Sequence, residues 1–146
     1  MNQKTGGPYL SAALFCEKTL KETDGVLSAI RMIDRFNFRG KSAQMDPQVI
    51  SCIALIVMKS GSYRGRAEIS IQPFKPSGKE MPRVVFPVNF EGDDDRGVGI
   101  AAPLRLGIDE EGTYWFDVKF ESQLITRMPI RIQYHPAPST ESGSSR

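Results

Sequence analysis

The sequence predicts an all-β protein, a single-domain antiparallel β-sandwich of about eight strands that is Ig-like or C2-like. Short segments of alternating apolar and polar residues recur at fairly even spacing, with Gly, Pro, Ser and Asp between them. This pattern is typical of sandwiches and barrels. A sandwich is favoured over a closed barrel because a barrel has no sheet edges, and edges are where strand prolines fit best. The prolines in question are Pro87, Pro103 and Pro129.

The length of 146 residues fits one domain, which can bury roughly 70% of its unfolded surface without disulfides. Residues 1–7 are polar and are predicted to be a disordered N-terminus. Residues 8–135 are predicted to form the sandwich domain. Residues 136–146 are rich in Pro and Ser and are predicted to be a flexible tail.

The clearest strand signal is a closing hairpin over residues 112–134, in which apolar and polar side chains alternate on both arms. The hairpin is expected to close over residues 121–123. The alternation itself fixes the register, because a slip by one residue would place Arg127 against Val118 on the core face. This register predicts three cross-strand pairs: Phe120 with Leu124, Phe116 with Met128, and Asp117 with Arg127.

Six further strands are predicted, at residues 9–17, 26–38, 48–59, 66–74, 82–90 and 98–106. Residues 14–22 could instead form one or two turns of helix. If every strand crosses the whole sandwich, alternate loops lie at the same end. One end would then collect residues 21–25, 60–65, 91–97 and 121–123, and the other would collect both termini with residues 39–47, 75–81 and 107–112.

Composition argues against several kinds of partner. The 19 basic and 17 acidic residues are interspersed and leave a net charge of +2, so no nucleic acid partner is expected. No apolar run reaches the length of a membrane span. The apolar segment at residues 9–15 is too short for a secretion signal, and the expected location is cytoplasmic. Cys16 and Cys52 lie in apolar runs, which favours buried, reduced thiols.

Catalysis is the least favoured function class. His135 is the only histidine, and a nucleophilic site needs its base held about 3 Å from the nucleophile. A residue at the start of the predicted tail does not meet that condition. The strongest form of an enzyme hypothesis would use Asp34 with Arg31 or Arg35, but a structural ion pair explains Asp34 better. No catalytic residue and no cofactor is predicted.

An acidic turn supplies an alternative function, Ca²⁺-dependent binding by a C2-like module. Ca²⁺ binds several carboxylate oxygens, and Asp24 lies in a loop at the same predicted end as the turn. The candidate ligands are Asp24, Asp93, Asp94 and Asp95. A solvated turn is the favoured interpretation, because paired aspartates in two loops are missing and Asp and Gly suit turn geometry. No metal site is therefore predicted.

Three segments of the chain carry recognisable strand patterns: PYLSAALFCEK, DGVLSAIRMIDRF and EEGTYWFDVKFESQLITRMPIRI. They resemble an uncharacterised bacterial family of small β-sandwich proteins. The likeness is one of strand patterns, an opening strand that ends near a Cys and a closing hairpin, and it spans most of residues 8–134. It implies a sandwich and a bacterial source, and it implies no activity for any residue. Pro103 and the turn at residues 93–95 are not part of the pattern.

The favoured function is a non-catalytic interaction or structural module that associates with itself or binds another protein. Residues 9–16 and 50–58 are apolar on both strand faces, whereas a two-layer sandwich should expose one polar face per strand. The uncovered face needs a partner, or internal cover by residues 18–23 or 39–47. The predicted interaction residues are Tyr9, Phe15, Ile56, Met58 and Trp115, the last because exposed Trp is enriched at interaction hot spots.

Overall fold

The computed structural model of the protein describes residues 6–138. The predictions for residues 1–5 and 139–146 lie outside the described residues. Within residues 6–138 the chain forms nine strands and no helix. The strands are β1 (Tyr9–Lys21), β2 (Leu27–Ile33), β3 (Arg35–Gly40), β4 (Gln48–Lys59), β5 (Gly65–Phe74), β6 (Val84–Phe90), β7 (Gly97–Ile108), β8 (Gly112–Phe120) and β9 (Gln123–Pro136).

The strands form two sheets around one hydrophobic core. The four-stranded sheet has the order β2-β1-β4-β7, and the five-stranded sheet has the order β3-β9-β8-β5-β6. Both sheets contribute fully buried side chains, such as Ile56 and Ile130. The rings of Phe15 and Phe116 meet edge to face across the core, with centroids 4.9 Å apart. The predicted all-β class is confirmed, and residues 14–22 are strand and loop rather than helix.

The predicted count of about eight strands is wrong, because the strand predicted at residues 26–38 is two strands in different sheets. The chain leaves the four-stranded sheet after β2, turns at Asp34 and enters the five-stranded sheet as β3. The backbone carbonyl of Asp34 accepts a hydrogen bond from the backbone N–H of Arg131 at 3.0 Å. From there β3 runs parallel to β9. All the remaining strand pairs in the two sheets are antiparallel.

The closing hairpin has two of its three predicted pairs. Phe116 lies opposite Met128 and Asp117 opposite Arg127, and the Oδ1 atom of Asp117 is 3.0 Å from the Nε atom of Arg127. Both predictions are confirmed. The strong alternation of β8 and β9 therefore does set the register over the central part of the hairpin.

The third predicted pair is wrong. A bulge after Val118 shifts the register, so that Leu124 lies opposite Lys119 and Phe120 lies opposite Gln123. The turn tightens to two residues, and Glu121 adopts a positive φ of 53°. One extra residue on β9 is thereby absorbed next to the turn, as a β-bulge does.

The predicted edge positions of the prolines are confirmed for two of three. Pro87 lies in β6 and Pro103 in β7, and both are edge strands. Pro129 lies in β9, which has neighbours on both sides. However, β3 pairs with β9 only from Arg131 onward, so Pro129 has a partner strand on one side only. Each proline thus avoids a ladder position that needs its N–H.

The hairpin of β1 and β2 bends back over the outer face of the four-stranded sheet. The bend is at Arg31, which has a positive φ of 58° and whose Nε atom is 2.9 Å from the Oε2 atom of Glu17. Beyond it, Leu27 reaches β7: a Cβ atom on Gly99 would lie 3.3 Å from the Cδ1 atom of Leu27. The hairpin therefore supplies part of the internal cover anticipated for residues 18–23.

Two side chains show the effect of this cover. Cys16 and Leu55 point to the outer face of the four-stranded sheet, yet they are 0% and 6% exposed. Neither belongs to the central hydrophobic core. They are buried between the sheet and the hairpin that folds over it.

Loops group at the two ends largely as predicted. At one end the N–H of Gly61 donates to the carbonyl of Asp94 at 2.9 Å, and at the other the Nζ atom of Lys75 is 2.9 Å from Asp109. The prediction for the N-terminus is wrong. Because Tyr9 pairs with Lys59, the chain starts at the end that holds residues 60–65.

Candidate interaction surfaces

The five predicted interaction residues do not form one surface. Phe15, Ile56 and Met58 are 3%, 0% and 0% exposed and belong to the central core, which corrects their assignment as contact residues. Tyr9 and Trp115 are 47% and 44% exposed. Tyr9 opens β1 in the four-stranded sheet and Trp115 lies in β8 of the five-stranded sheet, so the structure does not bring the two together.

An apolar patch remains on the outer face of the four-stranded sheet where the hairpin does not cover it. The patch consists of Met32, Val49, Ile53 and Pro103. Met32, Cys16, Ile53 and Pro103 are successive neighbours across β2, β1, β4 and β7. Met32 is 72% exposed and Val49 is 54% exposed. A groove of about 290 Å³ runs past Ile53 and Pro103.

Exposed apolar side chains concentrate on this side of the molecule. Five of the nine large hydrophobic side chains that are exposed in the described chain belong to the β1–β2 hairpin or to the outer face of β4: Leu20, Val26, Leu27, Met32 and Val49. The other four, Tyr9, Val85, Trp115 and Leu124, are spread over other elements. Scattered apolar residues are ordinary, whereas a concentration of them marks an interaction surface.

The rim of the apolar patch carries charges of both signs, and Glu17 is paired there with Arg31 at 2.9 Å. Glu17 and Arg105 both line the groove that contains Ile53 and Pro103. Arg105 lies next to Ser51 across the β4–β7 ladder, and Glu17 follows Cys16 in β1. An apolar centre with a polar rim is the usual anatomy of a protein–protein interface.

A lateral cleft of about 360 Å³ adjoins the patch through Met32. It lies between β1 and β9. These strands have no outer neighbour there, because β2 pairs with β1 only from Phe15 onward and β3 pairs with β9 only from Arg131 onward. Thr126 and Pro129 line it from the β9 side, and Asp34 is also among its lining residues. The cleft extends the apolar surface around the side of the molecule.

The outer face of the five-stranded sheet has the opposite character. Its side chains are mainly basic and amide groups around the half-exposed Trp115. The parallel pairing of β3 with β9 sets Arg35 beside Arg131 and Arg39 beside His135. This face and the apolar patch are on opposite sides of the core.

Two of the four acidic residues considered as calcium ligands have other partners. The Oδ1 atom of Asp94 is 2.7 Å from the Nη2 atom of Arg64, and the Oδ1 atom of Asp24 accepts a hydrogen bond from the N–H of Val26. Gly25 and Asp95 line one cavity, so the two loops are near each other, as predicted. Within residues 6–138 no group of three or more Asp, Glu, His or Cys side chains is placed to hold a metal ion.

Added calcium is therefore expected to leave the melting temperature unchanged. A ligand that binds only the folded state raises that temperature by mass action, and the Arg64 guanidinium already neutralises Asp94. The measurement is a thermal melt in millimolar CaCl₂ and in chelator. A melting temperature that rises when calcium is added to the wild type, but not when it is added to an Asp93→Asn/Asp95→Asn variant, would establish the C2-like alternative.

The residues considered for catalysis are exposed and have structural partners. β9 continues through His135 to Pro136, which corrects the placement of His135 at the start of a tail. The Nε2 atom of His135 is 3.1 Å from the Oδ1 atom of Asn37. Asp34 is paired with Arg35 at 3.5 Å. Neither arrangement places a nucleophile next to a base in the geometry that covalent catalysis needs.

Both cysteines are buried thiols, as predicted. Cys16 faces the hairpin and Cys52 faces the core, so their side chains lie on opposite faces of the four-stranded sheet. Burial raises the pKa of Cys16, and it raises the pKa of Cys52 to about 11. The thiolate, which is the reactive form, is therefore scarce at neutral pH.

No family model matches the chain, and no curated protein matches it. In the part of the chain that the structure describes, no helix is long and apolar enough to cross a membrane. Function is therefore inferred from the two outer faces of the molecule.

Proposed function

We propose that the protein is a non-catalytic β-sandwich, Ig-like or C2-like, that associates with a second copy of itself through the apolar patch. The observation that carries this proposal is the exposure of Met32 and Val49, 72% and 54%, on the outer face of a sheet that also presents Ile53 and Pro103. Removing apolar side chains from water stabilises association by about 25 cal/mol per Å² of buried apolar area. A cytoplasmic location and membership of a bacterial family are part of the same proposal.

The rim charges favour a second copy as the partner. In a two-fold symmetric dimer the same patch meets itself, so each contact occurs twice. Glu17 and Arg105 line the same groove, and a two-fold axis through it would set the Arg105 of each copy against the Glu17 of the other. Glu17 also pairs with Arg31 of its own copy at 2.9 Å, so in the dimer it would be shared between Arg31 and the Arg105 of the other copy.

The patch variant Met32→Glu/Val49→Glu is expected to be monomeric under conditions in which the wild type is a dimer of the 16.2 kDa chain. Burying unpaired carboxylates costs several kcal/mol, so the dissociation constant should rise by about a hundredfold or more. The measurement is light scattering coupled to size-exclusion chromatography over a range of protein concentrations. At low protein concentration the variant and the wild type should have the same melting temperature, because both positions are exposed in a single copy.

The matched control is Val85→Glu, which introduces a charge at an exposed apolar position, 39% exposed, on the other sheet. It should leave the dimer intact. A wild type that stays monomeric at high concentration would contradict self-association. Equal dissociation by the patch variant and the control would show that added charge, and not the patch, is responsible.

A further inference from the structure

The outer face of the five-stranded sheet concentrates positive charge. Among the outward-pointing positions of its described strands are six basic side chains and two acidic ones, an excess of four, although the whole chain has a net charge of +2. The basic side chains are Arg35, Arg39, Arg66, Lys119, Arg127 and Arg131, and the acidic ones are Glu68 and Asp117. We call this surface the basic face. A local excess of this kind attracts an anionic polymer.

Trp115 lies near the centre of the basic face, between arginines. It is 44% exposed, and its neighbours across the ladders are Phe74 and Pro129. Arg127 and Arg131 are the β9 neighbours of the outward residues on either side of it, Asp117 and Thr113. Four residues of extended strand separate the two arginines by about 13 Å. Along the ladder Trp115 therefore lies between the positions of two arginines of β9.

A shallow cavity of about 230 Å³ opens beside Trp115 and is lined by Phe74, Pro76 and Arg127. Asp117, which is 8% exposed, holds the guanidinium of Arg127 at 3.0 Å and so fixes its position at the cavity. In residues 6–138 Arg39 and Arg131 form no ion pair. These two guanidinium groups are available to an external anion.

We infer that the basic face binds single-stranded nucleic acid, with a base stacked on Trp115 and phosphates on the arginines of the face, Arg39 and Arg131 among them. Aromatic platforms within positively charged surfaces bind single strands with little sequence preference, because every base has a π-face. An acidic protein segment would pair with the arginines but would make no use of a half-exposed indole in an apolar row. This inference is independent of the proposed dimer, which occupies the opposite outer face.

Basic and acidic residues are evenly mixed along the sequence, and that mixture predicts no nucleic acid partner. On the folded surface, however, the basic residues are gathered on one face. Period-two alternation sends Arg127 and Arg131 to one face of β9. The crossover at Asp34 then brings Arg35 beside Arg131 and Arg39 beside His135 in parallel register. Arginines that are far apart in sequence therefore meet on one surface.

Trp115 is the only tryptophan in the chain, so its fluorescence reports directly on the basic face. The experiment titrates the wild-type protein with an oligothymidylate of about 15 nucleotides in about 50 mM salt. Stacking should quench the emission, and poly-glutamate of similar length should not. Increasing salt should weaken binding with a log–log slope of about −0.7 for each phosphate contacted.

Variants separate this site from general attraction to a positive protein. Arg39→Gln/Arg131→Gln should weaken binding by about tenfold and reduce the magnitude of the salt slope by about 1.4, since two phosphate contacts are lost. Trp115→Ala should weaken binding at least about fivefold, measured by anisotropy of a labelled oligonucleotide. The matched control is Lys18→Gln/Lys21→Gln, two exposed basic residues of the β1–β2 hairpin, which should bind like the wild type.

Three results would overturn the inference. The first is no quenching by the oligonucleotide at low salt. The second is binding of poly-glutamate in preference to the oligonucleotide, which would assign the face to an acidic protein segment. The third is an equal loss of binding in the hairpin control, which would show that any positive surface of the molecule suffices. Only variants whose melting temperature equals that of the wild type are compared, so that unfolding is not mistaken for lost binding.

Discussion

Gly97→Ala is expected to lower the free energy of unfolding by more than about 2 kcal/mol, while Gly107→Ala in the same strand changes it by less than about 0.5 kcal/mol. A Cβ atom on Gly97 would overlap the carbonyl oxygen of Met58 and lie 2.7 Å from its carbonyl carbon. Both atoms belong to the backbone of β4, so no side-chain rotation relieves the clash. At Gly107 no atom lies within 4 Å of the added Cβ.

The measurement is denaturant unfolding of both variants beside the wild type. The two substitutions are chemically identical and lie in the same edge strand, so the difference between them isolates the close approach of β7 to β4. Equal stability of the two variants would contradict the register of Gly97 against Lys59. The slope of the unfolding curve should stay constant, which shows that the unfolded reference state is unchanged.

Phe116→Ala is expected to lower the free energy of unfolding by about 3–5 kcal/mol, the usual range for a buried Phe. Phe116 is 0% exposed, and its ring contacts that of Phe15 across the two sheets at 4.9 Å. Removing the ring leaves a cavity in the centre of the core, where strands on both sides prevent collapse. A marginally stable domain would lose much of its stability.

The matched control is Phe74→Ala. Phe74 is in β5, the strand next to β8, and lies opposite Trp115. It is only partly buried and lies outside the core. Its loss should cost less than half as much as the loss of Phe116. Equal losses for the two phenylalanines, read from the same denaturant curves, would mean that the core does not lie between the sheets as described.

Local pattern was enough to predict the strands but not their assignment to sheets. Strong alternation identified β8 and β9 and the pairs of Phe116 and Asp117, because period two is a property of neighbouring residues. The division of residues 26–38 between two sheets depends on Asp34, whose carbonyl bonds to Arg131 nearly a hundred residues later. The hairpin that bends at Arg31 likewise reaches β7, which follows it by about seventy residues, through Leu27. Neither contact leaves a local signal.

The candidate surfaces were predicted less well, for a related reason. Alternation separates the two faces of β4 but does not say which faces inward when both are apolar. The face with Ile56 and Met58 is the core, and the face with Val49 and Ile53 is the outer one. The advance signals for the correct face were Ser51, which interrupts the apolar run on that side, and Lys59 at its end.

The basic face also depends on topology. Arg35 and Arg131 become neighbours only because β3 pairs in parallel with β9, and the sequence pattern predicted antiparallel strands throughout. The exposure of Trp115, in contrast, followed from its position on the polar face of β8 and is confirmed. A single residue on a well-defined strand was predictable, whereas a cluster drawn from two strands was not.

Charge exchange across the rim tests the central claim, self-association about a two-fold axis, most directly. Sedimentation equilibrium gives the dimer dissociation constant for Glu17→Arg, Arg105→Glu and the double variant. Each single variant places like charges against each other and should weaken the dimer by about tenfold or more. The double variant restores opposite charges across the axis and should recover much of the affinity that Arg105→Glu loses, while the Glu17–Arg31 ion pair within each copy stays broken. A double variant that dimerises no better than the weaker single variant would contradict the account.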